Sequence, residues 1–292
     1  MDSYQIKAYA KINLGLDVVR RLENGYHEVK MIMQTLDLFD HVTLEKRDEA
    51  GITLETNLSF LPVDEQNIAY RAAKMLMDEF QIPGGLHIKI EKNIPVAAGM
   101  AGGSTNGAAV LYGMNKIYQL GLSTKELMER GVRLGADVPY CILRGTVLSE
   151  GIGEVLTPVA PMPDCYILVA KPPISVSTKH VYENLKLDQI KTHPDIDGMI
   201  DALAAKDLVG ITSRMENVLE TVTIPEHPEI QMIKDQMMEA GALNALMSGS
   251  GPTVFGIFED KEQGMKAREY VEERGLARQI YLVEPFNVQH HS

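Results

Sequence analysis

Residues 95–109 read PVAAGMAGGSTNGAA. The stretch follows an alternating apolar segment, GGLHIKIEKNIP at 84–95. It leads into positions with helical spacing: Val110, Met114 and Ile117 at i, i+4, i+7, and Leu111 and Tyr118 at i, i+7. Strand, small-residue loop and helix N-terminus together make an anion-binding device. Small residues let backbone N–H groups converge on one point, and the helix adds unpaired donors and the positive end of its dipole. A tight turn with no ligand would use the same residues. Ser104 and Thr105 stand where a hydroxyl caps the helix or touches a phosphate-bound Mg2+.

The familiar nucleotide fingerprints do not fit. No Gly-Lys-[Ser/Thr] follows, so the loop is not a Walker A sequence. Gly99, Gly102 and Gly103 lack the GxGxxG spacing of a dinucleotide fold, and the HRD and DFG elements of protein kinases are missing.

At 292 residues the chain predicts roughly two domains. Its formal net charge of −12 argues against a nucleic-acid partner, which needs a basic surface. A locally positive pocket for a small anion remains open. Cys141 and Cys165 have no metal-ligand spacing, and their apolar neighbours (YCIL, DCYILVA) read as core strands around buried free thiols. No apolar run approaches the ~18 residues of a membrane span, and the first residues carry no apolar signal core. The expectation is a cytoplasmic protein with no membrane partner, monomer or homodimer.

Periodicity predicts one or two strands over 4–20, a turn at 23–29, a strand pair over 31–47 and a strand at 51–57. Helices follow at 67–80, over about 14 residues after the glycine stretch, and at 123–135. A strand pair is expected across 140–149. PVAPMPD at 158–164 is the candidate linker, giving domains 1–157 and 164–292. Beyond it come a strand at 165–173, helices at 177–185, 194–205, 207–220 and 227–240, a strand–turn–strand at 242–259, a helix at 261–275 and a strand at 277–286. Strands mixed with helices in both halves place the fold in α+β or α/β.

Three motifs then coincide. Pro95-x-x-x-Gly99-x-x-Gly102-Gly103-Ser104-Thr105-x-x-Ala108-Ala109 resembles the phosphate loop of the GHMP kinases. Ala10-Lys11-Ile12-Asn13-Leu14-Gly15-Leu16 and Ser248-Gly249-Ser250-Gly251-Pro252-Thr253 resemble that superfamily's N-terminal and C-terminal motifs. Asn24-Gly25-Tyr26-His27 and Leu134-Gly135-Ala136-Asp137-Val138-Pro139 are similar to the branch that phosphorylates the 2-hydroxyl of 4-diphosphocytidyl-2-C-methyl-D-erythritol, in the non-mevalonate isoprenoid route. The likeness spans roughly 6–286 and is thin over 186–225. The loop departs from many members by carrying Met100 for leucine and Thr105 for a second serine, both near-conservative. Gly107 weakens the first helical turn by about 1 kcal/mol relative to alanine, and the sequence offers only close packing as a reason.

The resemblance implies a two-lobed α+β fold, ribosomal-S5-like in the N-terminal lobe and ferredoxin-like in the C-terminal lobe. It implies ATP and Mg2+, a small cytidine diphosphate-linked substrate, and roles for particular residues. Asp137 would be the base and Lys11 its partner, the ammonium acting on the carboxylate, the hydroxyl or the phosphate. Pro95, Ala97, Ala98, Gly99, Met100, Ala101, Gly102, Gly103, Ser104 and Thr105 would hold ATP, Ser104 also the Mg2+. Asn67 and Lys92 would line the adenine pocket, although Asn67 is an equally good helix N-cap. Tyr26 would stack on cytosine, His27 bond its edge and Tyr182 close the other face, where some members carry phenylalanine. Asn13, Ser250 and Gly251 would meet the substrate near the transferred phosphate or its diphosphate. Two alternatives stay open: another small-molecule kinase of the superfamily, or a ribosomal-protein-like binding module with a vestigial loop.

Overall fold

The computed structural model describes residues 2–288. The chain forms two compact units that interleave in sequence. The first draws on the chain through Ala10, on Leu38–Val96 and on Ala101–Leu143. The second draws on Lys11–Asp37, Ala97–Met100 and the chain from Arg144 onward. Two long strands, β1 (Ser3–Arg21) and β2 (His27–Arg47), contribute residues to both.

In the first unit β4 (Gly85–Glu91) lies between β2 and β3 (Gly51–Thr56). It runs antiparallel to β2, with His41 opposite Glu91 and Arg47 opposite Gly85, and parallel to β3, with Gly51 opposite Gly85. Parallel neighbours cannot be joined by a hairpin, and the crossover here is α1 (Ile68–Phe80). Leu86, Ile88 and Ile90 alternate into the core. α1 buries the stripe Ala69, Ala72, Ala73 and Leu76, and α2 (Gly102–Ile117) packs closely on it. The closeness accounts for Gly107, because a Cβ there would sit 2.5 Å from Ile68 Cγ2. α3 (Thr124–Val132) opens on a capping box between Ser123 and Glu126, and α4 (Val138–Leu143) completes the unit.

In the second unit β5 (Thr146–Glu150) pairs antiparallel with β6 (Val155–Pro158) and with β2 residues Met31–Gln34. The chain then forms β7 (Tyr166–Lys171), α5 (Thr178–Asn184), α6 (Ile196–Ala204), α7 (Leu208–Thr212), α8 (Glu220–Glu226) and α9 (Pro228–Glu239). It ends in β8 (Asn244–Met247), β9 (Val254–Phe258), α10 (Lys261–Arg274) and β10 (Gln279–Val283). These strands form an antiparallel sheet of order β10-β7-β9-β8, the ferredoxin-like order expected from the resemblance. The central strands β7 and β9 are buried on both faces and so read as continuous apolar runs.

Four expectations change. Residues 140–149 are not a strand pair: Val138–Leu143 is helical and only Thr146–Glu150 is extended, so Cys141 is a helical residue. The run VPYCIL has no period to separate helix from buried strand, and a proline is tolerated in a first helical turn. Of the helix expected over 207–220 only Leu208–Thr212 forms before the chain turns to bridge Leu16 through Asn217, and α8 starts afresh at Glu220. Residues 31–47 belong to one strand rather than two. The Pro-rich stretch 158–164 belongs to the second unit rather than standing as a linker, and it is anchored there by Met162, which is 1% exposed and whose N–H donates to Thr146 Oγ1 at 3.0 Å.

Gly107→Ala gains about 1 kcal/mol of helix propensity but overpacks Ile68, which costs about 1–3 kcal/mol. The net expectation is a melting temperature lower by a few degrees, read by circular dichroism. An unchanged or higher value would show that the α1–α2 interface has room for a methyl group.

Candidate active site

Every even residue of β1 from Ile6 to Val18 faces the apolar interior, at 8% exposure or less. The odd face would ordinarily be polar and wet, yet Lys11 is 5% and Asn13 1% exposed. A buried ammonium must be met by acceptors. Lys11 Nζ donates to Asn13 Oδ1 at 2.7 Å and to the Gly99 carbonyl at 3.1 Å. Asn13 Nδ2 in turn points at Met31 Sδ, 3.2 Å away. Among the described residues, no carboxylate of its own unit pairs with Lys11. The cation is therefore held by neutral oxygens, which is a poor end state for a buried charge unless an anion joins it.

The Gly99 carbonyl is shared. Ser248 Oγ also donates to it, at 3.0 Å. Gly99 takes φ +69°, and a Cβ there would collide with the Ser248 carbonyl oxygen, so no other residue fits. Ala97 and Ala101 also have positive φ, at 49° and 57°. Left-handed residues at every second position, 97, 99 and 101, are a backbone pattern that can turn N–H groups toward one point. The Lys11 N–H donates to the Met100 carbonyl at 3.3 Å and fastens the loop to β1.

α2 begins at Gly102, so Ser104 and Thr105 lie inside its first turn and cap nothing. The N-cap position falls to Ala101, which has no side-chain hydrogen bond to give. The first N–H groups of α2 thus lack a side-chain cap. Ser104 is half-buried and Thr105 buried.

Lys92 and Asp40 underpin that turn. Asp40 is fully buried and forms an ion pair with Lys92, whose side chain is 5% exposed. Lys92 Nζ also donates to Asn106 Oδ1 at 2.9 Å and to the Gly102 carbonyl at 3.3 Å. Asp40 Oδ1 accepts from the Asn93 and Ile94 N–H groups, and Oδ2 accepts from Asn106 Nδ2. Burial pulls the Lys92 ammonium pKa down, against the upward pull of Asp40. Asn67 caps α1, accepting from the Ala69 N–H at 3.0 Å and donating to the Pro62 carbonyl at 2.8 Å.

In the second unit the structure brings His27 and Tyr182 together, with ring centroids 5.3 Å apart and planes tilted by 37°. Burial, then the Arg21 charge, hold the His27 pKa below its ordinary value, which favours the neutral imidazole. Tyr26 is 60% exposed at the hairpin end, where its N–H bonds Asn24 Oδ1. Ser250 is buried and bonds Thr178 at 2.8 Å, and Gly251 closes the turn through its N–H to the Ser248 carbonyl. Asp137 sits in the first unit just ahead of α4, half-buried, its carbonyl accepting the Cys141 N–H. Among the described residues of that unit its carboxylate has no hydrogen-bond or ion-pair partner.

Sequence reasoning missed Asp40, Asn106, Thr178 and Asn217. Asp40 left a trace, as an acid among the inward positions of an apolar strand. The others left none.

A family model described as the GHMP kinases N-terminal domain matches residues 67–145, and one described as the GHMP kinases C-terminal matches 189–276. The 4-diphosphocytidyl-2-C-methyl-D-erythritol kinase of Lachnoclostridium phytofermentans is 55% identical over 286 residues, covering 98% of each chain. That of Lachnospira eligens is 52% identical, covering 98% of this chain and 99% of its own. A crystal structure of a 4-(cytidine 5'-diphospho)-2C-methyl-D-erythritol kinase superposes with a TM-score of 0.82 at 30% identity, covering 97% of this chain and 99% of the other. L. major mevalonate kinase shares the fold alone, with a TM-score of 0.77 at 18% identity, covering 98% and 97% of the two chains. Fold and motifs thus define a small-molecule kinase of the GHMP class. Within that class, the chain belongs to the 4-diphosphocytidyl-2-C-methyl-D-erythritol kinase family.

Asp40→Asn leaves the Lys92 ammonium buried without its counter-charge, and breaking such a pair costs about 3–5 kcal/mol. The variant should lose that stability in urea unfolding at neutral pH. Its Lys92 pKa falls further below the unfolded value of 10.5. Between the depressed folded pKa and the unfolded one, the unfolded chain binds the extra proton, so stability rises with pH. The deficit against the parent protein should therefore shrink as pH approaches 10.5; a deficit independent of pH would assign the loss to the hydrogen bonds instead.

Proposed function

We propose that the chain transfers the γ-phosphoryl group of ATP to the 2-hydroxyl of 4-diphosphocytidyl-2-C-methyl-D-erythritol, a step toward isoprenoid precursors. The observation that carries the site assignment is Lys11, a buried cation with only neutral oxygens around it in its own unit. A phosphate oxygen or an ionised carboxylate would complete its surroundings. Phosphoryl transfer is chiefly positioning and charge stabilisation, and a preorganised ammonium supplies both.

Asp137 takes the proton of the hydroxyl, and its unengaged carboxylate suits that task. Lys11 steadies the carboxylate, the hydroxyl or the transferring phosphate. Pro95 through Thr105 cradle the triphosphate with backbone N–H groups and the uncapped end of α2. Lys92 serves the nucleotide by holding the first turn of that helix, and Asn67 by shaping the segment before α1. Tyr26, His27 and Tyr182 bind cytosine, while Asn13, Ser250 and Gly251 meet the rest of the substrate.

Mg2+ fits as a cation carried in by the nucleotide. Among the described residues no cluster of three or more His, Cys, Asp or Glu could hold it. The Ser104 hydroxyl, free of any hydrogen bond among the described residues, is the hard neutral oxygen it favours. When bound with ATP it neutralises charge on the β- and γ-phosphate oxygens. Among the described residues, no helix is long and apolar enough to cross a membrane. Cys141 and Cys165 are buried thiols outside any disulfide, which supports a reducing, cytoplasmic setting, and burial pushes the Cys165 pKa up to about 12.

ADP release with Mg-ATP should appear with the cytidine substrate and not with homoserine, mevalonate or galactose. Turnover with one of those instead would keep Lys11 and the loop but discard Tyr26, His27 and Tyr182. Lys11→Ala and Asp137→Asn should each lower kcat by at least about a hundredfold while calorimetric ATP binding persists. Near-normal turnover in either variant removes that residue from the chemistry. Tyr182→Ala should raise KM for the cytidine substrate roughly tenfold, the worth of one aromatic contact, and leave KM for ATP alone; equal values would take Tyr182 out of the substrate pocket.

A further inference from the structure

Within the second unit, the segment 216–220 joins β1 to the end of β8. Leu16 pairs with it as an isolated parallel bridge: the Leu16 N–H donates to the Glu216 carbonyl at 2.9 Å, and the Val218 N–H to the Leu16 carbonyl at 3.1 Å. Asn217, at the centre of this bridge, is 2% exposed. Its Nδ2 donates to two carbonyls, Met247 and Gly249, both at 2.8 Å. Its Oδ1 accepts the Leu219 N–H at 3.0 Å. One turn on, Glu220 Oε1 accepts the Met247 N–H at 2.8 Å, while Oε2 pairs with Lys234 at 2.6 Å.

β8 is an edge strand of its sheet. Edge strands expose unpaired N–H and C=O groups. At Met247 both groups are taken by side chains, as an added strand would take them. The grip reaches past the strand into the Ser248–Gly251 turn through the Gly249 carbonyl. A shape-filling leucine at 217 would bury as much surface. Only a planar amide offers two donors to two carbonyls flanking Ser248 and an acceptor behind them.

The turn held in this way lies against the buried polar residues of β1. A Cβ on Gly249 would stand 3.5 Å from Asn13 Oδ1 and 3.6 Å from Lys11 Nζ. Ser248 Oγ shares the Gly99 carbonyl with Lys11. We infer that Asn217, seconded by Glu220, is a positioning residue that sets the Ser248–Gly251 turn and β1 in register, so that Asn13, Ser250 and Gly251 meet the cytidine substrate together. The inference rests on the substrate role proposed above for those three residues.

Asn217→Asp tests it. The variant keeps the shape and the acceptor for the Leu219 N–H, but turns an oxygen toward two carbonyls. KM for the cytidine substrate should rise about tenfold while KM for ATP stays within about twofold, the signature of one misplaced substrate-binding surface. KM is unaffected by a loss of folded molecules, so a merely structural role would not split the two values. Parent-like KM values, or equal changes in both, overturn the inference. If Asn217→Asp does not fold, Glu220→Gln decides by the same ratio, with a smaller rise in the cytidine KM supporting the inference and no selective rise overturning it. Lys11→Ala is assayed beside them. Normal turnover in Lys11→Ala would sink the underlying site assignment, whereas an inactive Lys11→Ala beside a parent-like Asn217→Asp would sink only the role of Asn217.

Discussion

An ammonium taken out of water has to be met by oxygens, and around Lys11 those oxygens shape three separate stretches of chain. Asn13 supplies one from the same face of β1. Gly99 supplies the other by turning its carbonyl inward, which requires the left-handed conformation that only the glycine takes without strain. Ser248 then shares that carbonyl, so the β8–β9 turn is registered on the same point. Moving any one of the three would leave a buried charge or a buried carbonyl unmet, at a cost larger than most single contacts return.

The protein buries a second lysine near the same loop and treats it differently. Lys92 has its own carboxylate in Asp40, and Asn106 bonds both members of the pair. That network is complete. Each charge has a counter-charge, and the spare lone pairs of Asp40 are filled by the Asn93 and Ile94 N–H groups. A completed pair holds the chain still and has nothing left to offer a ligand. Lys11 has no such carboxylate in its unit. The two lysines bond carbonyls at Gly99 and Gly102, three residues apart, one in each unit. One works as scaffold, and the other, in the site proposed above, keeps a positive charge for an anion.

Legibility in the sequence followed the range of the interactions. The glycine loop was readable because a strand, a run of small residues and a helix stand next to one another in the chain. The Asn24–His27 turn was readable for the same reason, since its Asx hydrogen bond spans two residues. Asp137-Val138-Pro139 was recognisable as a motif, yet the helix that follows was not, because six apolar residues carry no period and Pro139 resembles a strand break. The start of α2 was placed too late, because glycines at 102 and 103 are poor helix formers and packing against α1 overrides them. The bracing role of Asn217 was invisible: its Nδ2 bonds main-chain carbonyls 30 and 32 positions away, and no local pattern encodes such a bond.

The charge of the whole chain sharpens what the site must do. At −12 the protein repels a triphosphate and a diphosphate-linked alcohol at long range. That field fades within about 8 Å at physiological salt, so it slows encounter more than it weakens the bound state. Affinity must then come from short-range cations and N–H groups held where water does not screen them. In the site proposed above, burying Lys11 beside neutral oxygens would do this: the same desolvation that makes the free site costly strengthens the interaction with an arriving anion. An exposed lysine at position 11 would be cheaper to fold around, but its charge would be diluted by the solvent and opposed by the acidic surface.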